Sequence, residues 1–127
     1  MATRSDVLPR RFARVPTAAI ADVLDELGLQ RQALPHAIRP LAADMRLAGY
    51  AFTARGRPYH GRPKDRDLTL RRFLAMLGAI PGESVLVLAS NDNVAAHFGE
   101  LSAEWCRRRR VRGVVIAGAT RDATVLG

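Results

Sequence analysis

The amino-acid sequence predicts an α/β domain, and three features of its hydrophobic pattern carry that prediction. Apolar residues recur with helical spacing in residues 17–27 and again in residues 67–77. Two largely apolar runs, SVLVLA at residues 84–89 and VVI at residues 114–116, are typical of strands that are covered on both faces of a parallel or mixed sheet. Helical and strand patterns alternate along the chain, which is the order that α/β domains show.

The first predicted helix covers Thr17 to Leu27. Its apolar positions, spaced i, i+3, i+4 and i+7, are Ile20, Val23, Leu24 and Leu27. Thr17 is the expected N-cap, because its hydroxyl can accept a hydrogen bond from the first turn. Gly28 is the expected stop, since glycine readily adopts the left-handed conformation that ends helices.

The next segments are predicted to be short strands and loops. One short strand is expected near Ala37–Arg39, within a loop that contains prolines. Another is expected at Gly49–Ala54, where Tyr50 and Phe52 lie on one face. Residues 55–66 form a basic loop rich in proline and glycine.

A second helix is predicted to begin at a cap, Asp67, and to end at Gly78. Its expected buried stripe consists of Leu70, Phe73, Leu74 and Leu77. The strand Ser84–Ala89 follows, and Ser90–Asn93 is a polar loop at its carboxyl end. A third helix, Gly99–Arg110, is then expected to bury Leu101 and Trp105 before the strand Val114–Ile116.

Length and composition indicate one domain, residues 1–127, of an ordinary globular protein. The chain weighs 13.9 kDa, with 48% apolar and 25% charged residues. No apolar run reaches the roughly 18 residues of a membrane helix, and the N-terminus lacks the apolar core of a secretory signal. The single cysteine, Cys106, cannot form an internal disulfide, which favours the cytoplasm.

The net charge of +8 invites a nucleic-acid interpretation, because clustered cations neutralise phosphates. Of the 20 basic residues, however, 19 are arginine and only Lys64 is lysine. Such one-sided use favours a coding bias towards arginine over a selected phosphate-binding face. An aromatic RNA-binding pattern and a GXXG loop are both absent from the sequence. RNA binding through Arg107–Arg110 therefore stays the weakest hypothesis.

Two predicted strand ends carry residues suited to chemistry, and ligands of open α/β sheets bind at such ends. The first stretch runs from Asn91-Asp92 to Ser102 and includes Gly99, which permits close backbone approach at a helix start that favours anions. The second is the turn after Gly118, which presents Thr120, Arg121 and Asp122. Arginine offers a planar fork to carboxylate or keto oxygens, and aspartate offers a hard oxygen to Mg²⁺ or Mn²⁺. Taken singly, each stretch is also compatible with a purely structural role.

Taken together, GELSAEW and RGVVIAGATRD resemble the signature of the RraA-like family. That family includes 4-hydroxy-4-methyl-2-oxoglutarate aldolase and the regulator of ribonuclease E activity A. The segments TAAIADVLDELG, RLAGYAFTA and PGESVLVLA are similar to the family in order, so the resemblance covers about residues 15–127. It implies a layered sheet-and-helix domain of the swivelling β/β/α type.

The resemblance also implies a class II, metal-dependent pyruvate aldolase or oxaloacetate decarboxylase with Mg²⁺ or Mn²⁺ as cofactor. By this resemblance Asp122 is the metal ligand and Arg121 contacts the keto or enolate oxygen. Gly99, Glu100, Leu101 and Ser102 form the loop that binds the substrate carboxylate, and Glu100 also takes part in catalysis. The implied assembly is a homotrimer or hexamer.

The sequence departs from the family pattern in two places. Aldolases of the family often read D-G-A before the Arg-Asp pair, whereas Ala117 stands at the position of that acid. The family pattern also continues beyond Asp122, so the domain is expected to be incomplete at its C-terminus. A non-catalytic relative that regulates a ribonuclease by protein contact is the main alternative to an enzyme.

The other reactive residue types favour structural interpretations. His36, His60 and His97 are too scattered for a metal trio, and no lysine in the motif indicates a Schiff base. Cys106 has no paired base and is expected to be a partly buried helix residue. Arg107–Arg110 lie at a helix C-terminus, where cations complement the helix dipole.

Overall fold

A three-stranded parallel sheet forms the centre of the computed structural model, which describes residues 6–57, 66–91 and 94–126. Strand β2 (Ser84–Ala89) lies between β1 (Tyr50–Arg55) and β4 (Gly113–Ala117). Parallel neighbours need crossover connections, and helices supply them in both cases. The α/β class predicted from the sequence is confirmed.

Outside this sheet, the described residues form four helices, two short strands and a 3₁₀ turn. They are α1 (Val7–Phe12), α2 (Thr17–Glu26), α3 (Arg66–Ala79), β3 (Ala96–Phe98), α4 (Glu100–Arg108), β5 (Ala119–Thr120) and a 3₁₀ turn (Ala123–Val125). Helix α3 connects β1 to β2, and α4 precedes β4. No helix within the described residues is long and apolar enough to cross a membrane.

A second, two-stranded parallel sheet pairs β3 with β5. Ala96 lies beside Ala119, and Phe98 lies beside Thr120. The sequence pattern does not predict these strands, because each has only two or three residues and neither shows a measurable hydrophobic alternation. Their pairing brings the start of α4 next to the turn that follows β4.

The sequence predicts the C-terminal end of α2 correctly but not its N-cap. Gly28 ends α2 as expected, with φ +78°, and Leu29 N–H donates to Leu24 O at 2.7 Å in the bonding pattern of a Schellman cap. The prediction that Thr17 caps α2 is wrong: Pro16 holds the N-cap position, and Thr17 is the first helical residue. Proline suits this place because the amide that it lacks would have no partner within the helix.

The main core lies where α3 and α4 cover the parallel sheet. Its most buried members are Leu77, Ile80, Leu86, Leu88, Phe98 and Cys106. The predicted stripe of α3 is only partly correct, because Leu77 is buried but Leu70 and Leu74 are more than half exposed. The prediction that α4 buries Leu101 and Trp105 is wrong, since Cys106 faces the core instead.

Three smaller predictions also change. No strand forms at residues 37–39; Ile38 N–H donates to Pro35 O at 2.9 Å, which closes a turn between two prolines. Helix α3 continues through Gly78 to Ala79. Most of the basic loop, residues 58–65 with His60 and Lys64, lies outside the described residues, as do Asp92 and Asn93 of the polar loop.

The position of Leu86 gives a stability prediction. Leu86 is fully buried in the central strand, so Leu86→Ala leaves a cavity and should lower the free energy of unfolding by about 2–5 kcal/mol. Leu34→Ala, at an exposed loop leucine, should change it by no more than about 0.5 kcal/mol. Urea denaturation measures both, and equal losses would contradict the assigned core.

Candidate functional site

The pairing of β3 with β5 brings the two stretches singled out in the sequence to one place. Thr120 Oγ1 donates to Phe98 O at 2.9 Å, and Arg121 N–H donates to the same oxygen at 3.1 Å. The turn that carries Arg121 and Asp122 is thereby fixed against the residue that precedes Gly99. Both stretches therefore belong to a single site.

Gly99 is the point of closest approach within this site. A Cβ atom at this position would lie 2.8 Å from Asp122 Oδ2, 2.9 Å from Arg121 Cγ and 3.0 Å from Arg121 Nε. Gly99 has extended backbone angles, φ −160° and ψ −165°, so the need for glycine is one of space. The sequence predicts close backbone approach at Gly99, and the structure shows that the approaching groups are these two side chains.

The charged groups of the site are close together and open to solvent. Arg121 Nε lies 3.6 Å from Asp122 Oδ2, and Glu100 N–H lies 3.4 Å from the same oxygen. Asp122 has a left-handed backbone with φ 59°, which a non-glycine residue adopts at some cost in energy. The Arg121 and Asp122 side chains are 69% and 43% exposed, so both are available to a ligand.

Helix α4 begins at this site with amide groups directed towards its N-terminal end. The Gly99 carbonyl accepts from Ala103 N–H at 3.0 Å, as expected for an N-cap residue. Gly99 has no side chain that could cap the helix, and Leu101 and Ser102 occupy its first turn. Such a helix start favours an anion through its N–H groups and its dipole.

A cavity of about 460 Å³ lies beside these groups, between α3, β3 and α4. Its lining residues are Leu70, Phe73, Leu74, Leu77, Ala96, His97, Phe98, Gly99, Leu101, Ser102, Trp105 and Arg121. Leu101 and Trp105, for which the helical spacing predicts burial, instead line this cavity and are exposed. The sequence gives no signal for it beyond the two apolar stripes of α3 and α4.

The donor groups fit a cation that keeps most of its water. Within residues 6–57, 66–91 and 94–126, no cluster of three or more His, Cys, Asp or Glu side chains could hold a metal ion. Zinc sites use three or four protein ligands, whereas Mg²⁺ is commonly held by one or two carboxylates and several waters. Asp122 offers one exposed carboxylate of this kind. Ala117 offers none; it ends β4, and its carbonyl accepts from Ser90 N–H at 3.0 Å.

The remaining reactive residues of α4 are buried in the core or form ion pairs within the helix. Burial raises the pKa of the Cys106 thiol, which keeps it protonated and unreactive at neutral pH. Arg108 and Arg107 bind Glu104 at 2.8 and 2.9 Å and hold the pKa of that carboxyl below its usual value. These pairs draw two of the four consecutive arginines into contacts within α4.

Residues 17–127 match the sequence profile of the RraA-like family, described as Aldolase/RraA. The chain belongs to this family. The family includes aldolases or decarboxylases that can use Mg²⁺ and inhibitors of RNase E, and its members are commonly oligomeric. No curated protein matches the chain significantly.

Several solved structures share the RraA-like fold. Streptomyces coelicolor RraAS2, an unusual member of the RNase ES inhibitor RraA family, superimposes with TM-score 0.81 at 25% identity over 98% of this chain and 60% of its own. A structure described among novel cellulases from gut-associated microbes gives 0.82 at 24% identity, over 99% and 55%. An uncharacterized protein from Pseudomonas syringae pv. tomato DC3000 gives 0.74 at 21%, over 98% and 53%. The chain thus spans slightly over half the length of these structures.

The contact at Gly99 can be tested by comparing two glycines. Gly99→Ala should displace the Arg121 and Asp122 side chains, because the new methyl group would overlap them. Flexible side chains can move away, so the free energy of unfolding should fall by less than about 2 kcal/mol. The amide NMR signals of residues 119–122 should shift, while those of β2 should not.

Gly78→Ala is the matched control. A Cβ at Gly78 meets nothing within 4 Å, and the residue lies inside α3. This change should raise the free energy of unfolding by about 0.5–1 kcal/mol and leave the signals of residues 119–122 in place. Equal effects of both variants on those signals would show that Gly99 is not in contact with the turn.

Proposed function

We propose that this RraA-like chain is a divalent-metal-dependent lyase of the cytoplasm that acts on a 2-oxo acid with a pyruvate half. The reaction is a retro-aldol cleavage or a decarboxylation, of the type undergone by 4-hydroxy-4-methyl-2-oxoglutarate or oxaloacetate. One observation carries the proposal: Arg121 and Asp122 meet the start of α4 at Gly99, where Asp122 Oδ2 accepts from Glu100 N–H at 3.4 Å. Arg121 supplies a cation for the keto oxygen, the start of α4 supplies N–H groups for the substrate carboxylate, and Asp122 supplies a carboxylate for the metal.

Different residues of the site bind the carboxylate and the keto oxygen of the pyruvate half. The N–H groups of Leu101 and Ser102 bind the carboxylate at the start of α4, and Gly99 leaves room for Arg121 and Asp122 beside it. The guanidinium of Arg121 binds the keto oxygen through its planar array of donors. This arrangement fixes the substrate so that the bond to be broken, between C3 and C4, lies next to a positively charged environment.

Cleavage of that bond leaves its electron pair on the pyruvate half, as an enolate with its charge on the former keto oxygen. Arg121 stabilises this charge as it develops, which is the effect that accelerates such reactions. In the retro-aldol case the C4 hydroxyl loses its proton and becomes a carbonyl; in decarboxylation CO₂ leaves. C3 then takes up a proton to give pyruvate. Glu100, an exposed carboxylate at the same helix start, exchanges these protons with solvent.

Asp122 is the residue that would hold the metal, with Glu100 as a second carboxylate nearby. When bound, Mg²⁺ or Mn²⁺ supplies Lewis-acid stabilisation of the negative charge on the substrate. Arg121 Nε lies 3.6 Å from Asp122 Oδ2, which supports a role for both side chains at one substrate.

The proposal predicts pyruvate release that depends on both metal and Asp122. Purified protein is assayed with 4-hydroxy-4-methyl-2-oxoglutarate and with oxaloacetate, in Mg²⁺ or in EDTA. Asp122→Asn and Arg121→Gln should each lower kcat/KM by about 10²–10³-fold, because each removes charge stabilisation from the transition state. Asp44→Asn, at an exposed loop acid outside the site, should leave it unchanged. Full activity in EDTA, or in Asp122→Asn, would contradict the proposal.

A protein-binding regulator is the second candidate, and the similarity to RraAS2 favours it. Helix α2 and its C-cap residue present apolar side chains to solvent, with Val23 55% and Leu27 69% exposed. Such a surface suits contact with a ribonuclease or with further copies of the chain in a trimer or hexamer. This candidate requires binding to an RNase E-type enzyme that persists in EDTA and in Asp122→Asn. RNA binding through Arg107–Arg110 would instead weaken steeply with added salt.

A further inference from the structure

We infer, on the basis of the proposed function, that Thr120 is a positioning residue of this site. Its hydroxyl group holds the turn of Arg121 and Asp122 at the distance from α4 at which both side chains reach the substrate and the metal. Thr120 is half-buried and is not among the residues that line the cavity, so it acts through its two neighbours rather than on the substrate.

The hydroxyl group of Thr120 is directed to one backbone oxygen. Thr120 Oγ1 lies 2.9 Å from Phe98 O, whereas a second acceptor, Arg121 O, lies 3.4 Å away. A hydroxyl has one proton to donate, so the shorter contact takes it. Phe98 is 3% exposed and belongs to the main core. The bond therefore ties the turn to a fixed part of the fold.

The turn needs this bond because its own structure is short and strained. Strand β5 consists of Ala119–Thr120, and its pairing with β3 covers two residue pairs with an irregularity between them. Gly118 and Asp122 flank the strand with positive φ angles of 153° and 59°, and the latter costs energy for a non-glycine residue. Such a backbone persists where tertiary contacts hold it, and the Thr120 hydroxyl supplies one of these contacts.

Replacement of the hydroxyl by a methyl group would displace the charged side chains. Valine has the shape of threonine, but a carbon atom needs about 3.3 Å or more from a carbonyl oxygen. A methyl group at the present 2.9 Å would therefore push the turn away from Phe98. Arg121 Cγ and Asp122 Oδ2 both border the position that a Gly99 side chain would take, so movement of the turn changes their distance from the start of α4.

Steady-state kinetics with oxaloacetate and Mg²⁺ test the positioning role. Thr120→Val should lower kcat for pyruvate release by about 10–100-fold, which is typical of losing a bond that orients a ligand group. KM should change by less than about threefold, because the N–H groups of Leu101 and Ser102 that bind the carboxylate belong to α4 and not to the turn. An unchanged kcat in Thr120→Val would overturn the inference.

Two further variants separate the hydroxyl from a general effect of the substitution. Thr120→Ser keeps the hydroxyl and should restore kcat to within about threefold of the unmodified protein. Thr53→Val makes the same change at an exposed position of β1, away from the site, and should leave kcat unchanged. A serine variant as slow as the valine variant, or equal losses at positions 53 and 120, would overturn the role of the Thr120 hydroxyl.

Amide hydrogen exchange shows whether the turn moves while the protein stays folded. Arg121 N–H donates to Phe98 O at 3.1 Å, and in Thr120→Val it should exchange at least about tenfold faster. Exchange in β2 should be unchanged, which excludes unfolding as the cause. Faster exchange at Arg121 without a change in kcat would show a purely structural bond and overturn the inference.

Mn²⁺ binding separates the failure of this inference from the failure of the proposed function. If the unmodified chain releases no pyruvate in Mg²⁺, the lyase is overturned and the Mn²⁺ dissociation constant decides the role of Thr120. Binding that is about 10–100-fold weaker in Thr120→Val and restored in Thr120→Ser would support the positioning role at a metal site. Mn²⁺ affinities that do not differ between the proteins would overturn it.

Discussion

Where the chain passes from β3 into α4, the side chains of Arg121 and Asp122 pack directly against the backbone of Gly99, and the candidate site depends on this approach. Any larger residue would overlap both side chains. The approach exists because β3 and β5 pair in parallel and because Phe98 O accepts from both Thr120 and Arg121. A small two-stranded sheet, stabilised by few bonds, thus sets the position of the charged groups relative to an open helix start.

The larger sheet determines what lies beyond those groups. Helices α3 and α4 cover β1, β2 and β4, and their contact is closed by the bond from Trp105 to Leu77. An apolar cavity lies between the same helices and β3, next to Arg121. The charged groups and the apolar cavity wall therefore belong to different parts of the fold: the former to a turn and a helix end, the latter mainly to two helix faces.

Sequence patterns predict the parts of this structure in which one local signal dominates. The run at Ser84–Ala89 coincides with β2, and Gly28 ends α2, because continuous hydrophobicity and left-handed glycine each leave few alternatives. Sequence patterns fail where tertiary contacts determine burial or pairing. Leu101 and Trp105 have the spacing of a buried helix face but line a cavity. Strands β3 and β5 are too short to show hydrophobic periodicity. The residue types at positions 99, 121 and 122 indicate an anion and cation site. Their mutual distances depend on the β3–β5 pairing, which no local pattern encodes.

The proposed function requires the two separated segments to form a single cation-binding and anion-binding site, and paramagnetic NMR tests this requirement most directly. Adding Mn²⁺ to ¹⁵N-labelled protein broadens the amide signals close to the bound ion. We predict selective broadening of residues 99–102 together with residues 119–122, and its loss in Asp122→Asn. Broadening confined to one segment, centred elsewhere in the chain, or unchanged in the variant would contradict the proposal.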